Sequence, residues 1–309
     1  LKSIELKAGI NRENTRYATE GGWYEGDKIR FRQGTPEKIG GWERISAATF
    51  FGVCRSLWNW VTINGQNLVG VGTNLKFYIE RGGAYYDVTP IRSTTAAGDV
   101  TFAAVNGSST LTVSDTSHGA GNGDFVTYSG AVTLGGLITA AVLNQEYQID
   151  VVLTEDTYTI TAKDTGGTTV TANSSDTGNG GASIVGVYQI TTGNSIAVPF
   201  TGWGAGAWGL GTWGVGGTTT QPLRLWSQNN FGEDLVFAYR GGPLFYWDAT
   251  TGTTTRGVYV SSLAGASDVP TAVNYSFISD INRFVFAFGV NKLGDSQIDP
   301  LLIRWSDQE

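Results

Sequence analysis

Apolar and polar residues alternate in short runs along most of this chain, broken by Gly, Thr, Asn and Asp. That is the two-residue period of a half-buried strand. No apolar stripe at the helical period continues beyond about three turns, so helix is expected to be scarce. Lys28-Ile29-Arg30-Phe31-Arg32 shows the alternation, Gly34-Thr35-Pro36 turns the chain, and Lys38-Ile39 returns it. This predicts a hairpin with one basic face.

A longer phrase recurs. Trp58-Asn59-Trp60, Leu68-Val69-Gly70-Val71-Gly72 and Leu75-Lys76-Phe77-Tyr78 form one copy. Leu225-Trp226, Leu235-Val236-Phe237-Ala238 and Leu244-Phe245-Tyr246-Trp247 form a second, and Trp58 to Phe77 and Trp226 to Phe245 are both 19 positions apart. A looser third copy runs through Phe277-Ile278, Phe284–Phe288 and Leu301–Trp305. Each reads strand, turn, strand, turn, strand. Such a unit buries a face only against a neighbour, which predicts blades of a β-propeller. The expected fold is all-β: an incomplete β-propeller carrying an inserted small β-barrel or sandwich.

Charge marks the expected boundaries. The net charge of −7 is distributed as +2 over residues 1–45, +2 over 46–92, −8 over 93–195 and −3 over 196–309. Residues 1–45 read as an arm and hairpin, 46–92 as the first part of the propeller, and 93–195 as an inserted acidic β-domain. Residues 196–309 read as a Trp-Gly loop followed by the continuation of the propeller. Within the insert, strands are expected at 110–113, 125–128, 147–152, 157–161 and 184–188, separated by turn residues. Three blades fall short of the roughly four a propeller needs. The chain also begins at Leu1 without Met and ends inside an apparent strand. The expectation is a piece of a longer product, or a ring completed by other segments.

Candidate chemistry is sparse. His118 is the only His and Cys54 the only Cys, too few for the usual zinc ligand sets. His118, between Ser117 and Gly119, is expected to serve a turn, and Cys54 to be a buried inert thiol. Glu155-Asp156 are adjacent, a poor arrangement for paired-carboxylate hydrolysis. No phosphate-binding or nucleophile-elbow motif is present. The reading is a protein that is not an enzyme, with no catalytic residues, cofactor or metal. The apolar, low-charge run Ala131–Leu143 is 13 residues, too short to span a bilayer, so no stable membrane insertion is expected.

Two clusters remain as interface candidates. Lys28, Arg30, Arg32 and Lys38, with Arg44, form the one basic cluster, readable as subunit or intrachain ion pairs or as contacts to DNA phosphates. Trp203, Trp208 and Trp213 are spaced by five, each followed by Gly. They read as indoles packed under their own loop, as interface anchors, or as platforms for sugars or bases.

The stretch Gly21-Gly22-Trp23-Tyr24-Glu25-Gly26-Asp27-Lys28-Ile29-Arg30-Phe31-Arg32, continuing through Gly34 to Trp42, resembles the N-terminal signature of the tail-hub, or nozzle, proteins of short-tailed bacteriophages, also called packaged-DNA stabilisation proteins. The Trp-Gly run at 202–214 and Arg304-Trp305-Ser306-Asp307 look like the same family, so the resemblance covers residues 10–92 and 200–309. The insert, through Asp115–Gly119, Gly123–Val126 and Asp156–Ile160, is similar to a small β-domain of phage structural proteins, sometimes described as like a ubiquitin-activating-enzyme subdomain. Fold of that kind carries no activity by itself. The resemblance implies a virion protein of the phage tail that assembles with itself as a ring, usually a hexamer. It further implies docking to a tail adaptor and to tail fibres or spikes, retention of packaged DNA, and a channel for its ejection. At 309 residues the chain is short for that family. The alternative function is a glycan-binding β-propeller that recognises a host surface, and a polysaccharide hydrolase ranks third.

Overall fold

The structure, a computed structural model, describes residues 7–13, 15, 17, 18, 20–41, 43, 46–176, 178–196 and 223–307. The chain is all-β, with six antiparallel sheets among the described residues. It divides into two compact units, Leu1–Ala47 and Ala48–Glu309.

In the first unit, β1 (Ile29–Arg32) pairs with β2 (Thr35–Lys38). Gln33 and Gly34, both at positive φ, make the two-residue turn, which matches the twist of the flanking strands. The ring of Trp23 packs edge-on against Phe31, with centroids 6.1 Å apart.

The second unit opens with a meander of β3 (Cys54–Val61), β4 (Asn67–Thr73), β5 (Phe77–Arg81) and β6 (Ala84–Asp87). Eight strands follow: β7 (Ile91–Thr94), β8 (Thr101–Ala104), β9 (Thr110–Ser114), β10 (Phe125–Ser129), β11 (Glu146–Gln148), β12 (Val151–Thr154), β13 (Thr157–Thr161) and β14 (Val185–Gln189). They form two sheets, ordered β11-β10-β14-β7 and β12-β13-β9-β8. The arrangement is a sandwich and not a closed barrel, and its own core includes Phe102, Leu111, Val126, Tyr158 and Ile184.

The single strand expected at 147–152 is two strands, one in each sheet. The two-residue link Ile149-Asp150, with Ile149 buried, carries the chain across. Three tyrosine hydroxyls line up through this core. Tyr128 bonds Tyr158 at 2.6 Å, Tyr158 bonds Tyr188 at 2.7 Å, and Tyr188 donates to Asp115 Oδ2 at 2.5 Å. Each buried hydroxyl is thereby satisfied.

The second meander is β15 (Trp226–Phe231), β16 (Asp234–Tyr239), β17 (Leu244–Trp247) and β18 (Val258–Tyr259). The third has three strands, β19 (Val273–Ile278), β20 (Val285–Asn291) and β21 (Ile298–Trp305). The three meanders stack in chain order. Trp60, Leu68, Phe77 and Ile79 of the first meet Trp226, Phe237, Phe245 and Trp247 of the second. Val236, Ala238 and Leu244 on the other face of the second meet Ile278, Ala287 and Val290 of the third. Neighbouring meanders thus stack face to face.

Glycine sets the closeness of the first interface. A Cβ on Gly72 would lie 2.5 Å from the Trp226 ring, and one on Gly70 would collide with Gln228. Without side chains there, the second sheet can approach, and Trp226 Nε1 donates to the Thr73 carbonyl at 2.7 Å.

The repeated phrase has a different meaning from the one its spacing suggests. Phe77 pairs with Gly72, which pairs with Ser56, two residues before Trp58. Phe245 pairs with Phe237, which pairs with Gln228, two residues after Trp226. The equal spacings therefore join non-equivalent rows. The first hairpin loop is wide in the first meander (Val61 pairs with Asn67) and tight in the second (Phe231 pairs with Asp234). Phe77 and Phe245 also face each other's sheets and belong to one interface. The phrase marks the two sides of a shared core, and Tyr259 of the fourth strand β18 packs against that core beside Phe245.

Candidate interface surfaces

The hairpin of the first unit does not present all four basic residues together. Arg30 stands opposite Glu37, while Lys38 stands opposite Ile29. Residues directly opposite share a face and neighbours along a strand do not. Arg30 and Arg32 therefore occupy one face, and Lys38 the face of Ile29 and Phe31, so the single basic face is split by the register. Arg30 Nε bonds Glu37 Oε1 at 2.5 Å, and Lys28 Nζ lies 3.8 Å from Asp27 in full exposure. Among the described residues no ion pair forms to Arg32 or Lys38. Trp203, Trp208 and Trp213 lie outside the described residues, as does Arg44.

His118 is buried. Its Nδ1 accepts from the Ala120 amide at 3.0 Å, and its Nε2 faces the Thr154 carbonyl at 3.3 Å. Both ring nitrogens are engaged in holding the turn, and the ring packs edge-on to Tyr158. Cys54 is half-buried, with Sγ 3.7 Å from the Ser56 carbonyl; its place at the strand end leaves it less covered than expected. Glu155 and Asp156 sit in the turn between β12 and β13, and Asp156 accepts from the Ser117 amide at 2.7 Å. The His118 turn and the β12–β13 turn meet through these bonds, while Cys54 lies on the first sheet of the stack.

A charged junction that the sequence reading missed joins the sandwich to the stack. Lys76, 2% exposed, places Nζ 2.8 Å from Asp87 Oδ2 and 2.6 Å from Glu146 Oε2. Arg256 lies 3.2 Å from Asp87 Oδ1 and 3.9 Å from Glu146, and Gln189 donates to Glu146 at 2.5 Å. Lys76 also sits 4.4 Å above the Phe125 ring. Two cations and two carboxylates balance, which is the condition for charges away from water. Burial raises the Asp87 carboxyl, and the Lys76 and Arg256 charges, with hydrogen bonds from Lys76 and Thr89, bring it below its ordinary value. The available signal was a lone Lys within Leu75-Lys76-Phe77-Tyr78, an apolar run that has to bury it.

A second surface closes the stack. On the third sheet Ser276, Ile278 and Ala287 point back into the shared core. Tyr275, Phe277, Phe286, Phe288, Ile303 and Trp305 occupy the opposite face, with Tyr275 opposite Phe288 opposite Ile303, and Phe277 opposite Phe286 opposite Trp305. The pairing of β20 with β21 is irregular at Gly289, φ +57, and beyond it Val290 and Val273 lie in the shared core. Phe277 stacks on Phe286 at 5.1 Å and on Phe288 at 5.6 Å. Trp305 is 67% and Tyr275 56% exposed. The face is a contiguous aromatic patch, partly open to solvent.

The depression beside it, between Thr271, Leu293 and Arg304, has its polar groups committed. Asn291 bonds Thr271 and Asp295, and Arg304 donates to the Asn291 and Asp268 carbonyls. Among the described residues no group of three or more His, Cys, Asp or Glu is placed to hold a metal ion, and no helix is long and apolar enough to cross a membrane.

No family model matches this chain, and no curated protein matches it. Among solved structures it is similar to a phage phi92 endosialidase, with a TM-score of 0.24 and 15% identity over 82% of this chain. The match spans 36% of that longer chain. A likeness this low carries no argument about fold or function.

Proposed function

We propose that this protein is a structural component of a bacteriophage virion, a tail hub or nozzle that assembles with itself as a ring. The observation that carries the reading is the stack of meander sheets whose third member presents an aromatic face, with Tyr275 and Trp305 exposed. Such a face is a unit built to be covered by a neighbour. The resemblance of residues 21–42 to the nozzle signature supplies the virion context. In this reading the mechanism is mechanical. Ring closure buries subunit faces around a channel that retains packaged DNA and releases it on ejection, and the tail adaptor and the fibres or spikes dock on the ring. The buried Lys76 junction holds the acidic sandwich at a fixed angle to the stack, as a module that has to meet partners in register requires.

Negative-stain electron microscopy of the purified chain, alone and with the adaptor of its own tail, tests the reading. Rings formed alone or on the adaptor are expected. A protein that stays monomeric and ignores the adaptor would overturn it.

A further inference from the structure

The inserted sandwich and the meander stack keep separate cores. The apolar cluster of the sandwich runs from Val100 to Tyr188, and none of its residues joins the clusters of the stack. No strand of one pairs with a strand of the other. The chain crosses between them twice, and the crossings lie side by side, with the Ile190 amide donating to the Pro90 carbonyl at 3.1 Å. Two bodies joined at one place without a shared apolar core turn on each other unless something else holds them.

Among the described residues, what holds them is the outer face of the sheet β11-β10-β14-β7. Val126, Tyr147 and Tyr188 point into the sandwich core. Phe125, Glu146 and Gln189, adjacent to them on their strands, therefore point the other way, toward the stack. Phe125 meets Phe51 at 6.2 Å and lies under Lys76. Glu146 enters a socket made by three residues of the stack: Lys76 from the β4–β5 turn, Asp87 at the end of β6 and Arg256 ahead of β18. The socket alone carries two positive charges and one negative, and Glu146 brings it to zero. Tyr78 of β5, the other titratable group facing it, is pushed up by burial and stays uncharged. Gln189 donates to Glu146 at 2.5 Å and to Asp87 at 3.5 Å, while its Oε1 is buried with no hydrogen-bond partner. Turning the amide over would set that oxygen against the carboxylates, which only accept, so the unmet acceptor belongs to the closed contact and opposes it.

We propose that this contact is a charge latch, released when Glu146 loses its charge, and that the sandwich then turns on the paired crossings at Pro90 and Ile190 with both cores intact. A protonated Glu146 leaves Lys76 and Arg256 balanced by Asp87 alone. An uncompensated positive charge then remains out of water, which breaks a buried contact of this kind. Opening brings water to that charge and to the Gln189 oxygen. The Glu146 side chain, 30% exposed, is open to protons from solvent. The remaining tie lies beside the pivot. Thr192 donates twice to Asp124, at 2.7 and 3.0 Å, Arg224 donates to the Thr191 carbonyl at 2.6 Å, and Gly193 exchanges hydrogen bonds with Asn74. Bonds this near the axis survive a turn that parts Glu146 from Lys76. The latch stands apart from the virion reading, since it needs neither ring nor adaptor.

Distances between two spin labels test it on the full chain. With Cys54→Ser as background, the labels sit at Val105→Cys on the sandwich, 69% exposed, and at Ile281→Cys beyond β19, 90% exposed. With Glu146 intact, double electron–electron resonance at neutral pH is expected to give one narrow distance. Glu146→Gln is expected to add a second, distinct distance at neutral pH. Glu155→Gln, which alters an exposed turn carboxylate, is expected to add none. As the pH is lowered from about 7 to about 4, across the range in which carboxylates take up protons, the chain with Glu146 gains the second distance reversibly, and Glu146→Gln shows no further change. Circular dichroism stays the same throughout. One narrow distance in Glu146→Gln, both distances already present with Glu146 at neutral pH, or an acid response that persists in Glu146→Gln would overturn the latch. So would a second distance that appears only as the circular-dichroism signal is lost, or a Glu146→Gln chain that fails to fold, because that residue belongs to neither core.

Discussion

Lys76 Nζ lies 2.6 Å from Glu146 Oε2, a bond that ties the first sheet of the stack to the inserted sandwich. The two residues are 70 positions apart in the chain, and the lysine is buried. The junction is therefore a long-range constraint, formed only when both parts have folded.

Replacing Lys76 with Met keeps most of its volume and removes its charge. Asp87 and Glu146 then face each other with only Arg256 to balance them. We expect a loss of about 3 kcal/mol, the low end for breaking a buried pair, because both carboxylates keep part of their exposure. Urea unfolding of wild type and variant measures it. A variant as stable as the wild type would show that the junction carries no constraint.

Two aspartates give pH dependence of opposite sign. Asp87 is raised by burial but lowered further by Lys76 and Arg256, so its net value lies below the ordinary one. Its contribution is present above the ordinary aspartate value and is lost as pH falls through the depressed one. Asp115 is raised by burial, which the Tyr188 hydrogen bond only partly opposes. Its contribution is present below the ordinary value and is lost as pH rises through the raised one. Unfolding free energies from about pH 2 to 7 are expected to show Asp87→Asn flattening the acid-side fall and Asp115→Asn removing the decline above the ordinary aspartate value.

Gly72→Val tests the close approach of the first two sheets. The new side chain would meet the Trp226 ring, whose nearest atom lies 2.5 Å from a Cβ at that position. Overpacking of this kind costs about 1–3 kcal/mol. The indole fluorescence of the variant is expected to shift to the red as Trp226 is displaced. Gly65→Ala, where nothing lies within 4 Å, bears only the positive-φ strain of its turn and leaves that emission unchanged.

Tyr158→Phe removes the middle hydroxyl of the sandwich chain, a group pushed up by burial to about 12. Tyr128 and Tyr188 each lose a partner in a dry core, which costs about 1–3 kcal/mol. Calorimetric melting of the variant is the measurement, and an unchanged melting temperature would count against the network as a stabilising feature.

The sequence by itself determined the all-β class. Period-two alternation in short runs, punctuated by Gly, Asn and Asp, leaves no other way to bury Phe77, Tyr158 or Phe245, because each strand has one face to hide. It also yielded the hairpin over residues 28–39 and the turn role of His118, since those depend on neighbours in the chain. It put the hairpin turn at Gly34-Thr35-Pro36, whereas the structure puts it at Gln33-Gly34, with Thr35 and Pro36 already in β2. Tertiary structure alone decided what a given apolar position touches. Trp58 and Trp226 have matching surroundings in sequence, yet loop lengths put them in different rows, and Phe77 and Phe245 meet across one interface. The burial of Lys76 and its partners Asp87, Glu146 and Arg256 went unread in the sequence, because the partners come from distant segments. Register, a property of paired strands, sent Lys38 to the face opposite Arg30, and the order of stacking left Tyr275 and Trp305 open to solvent.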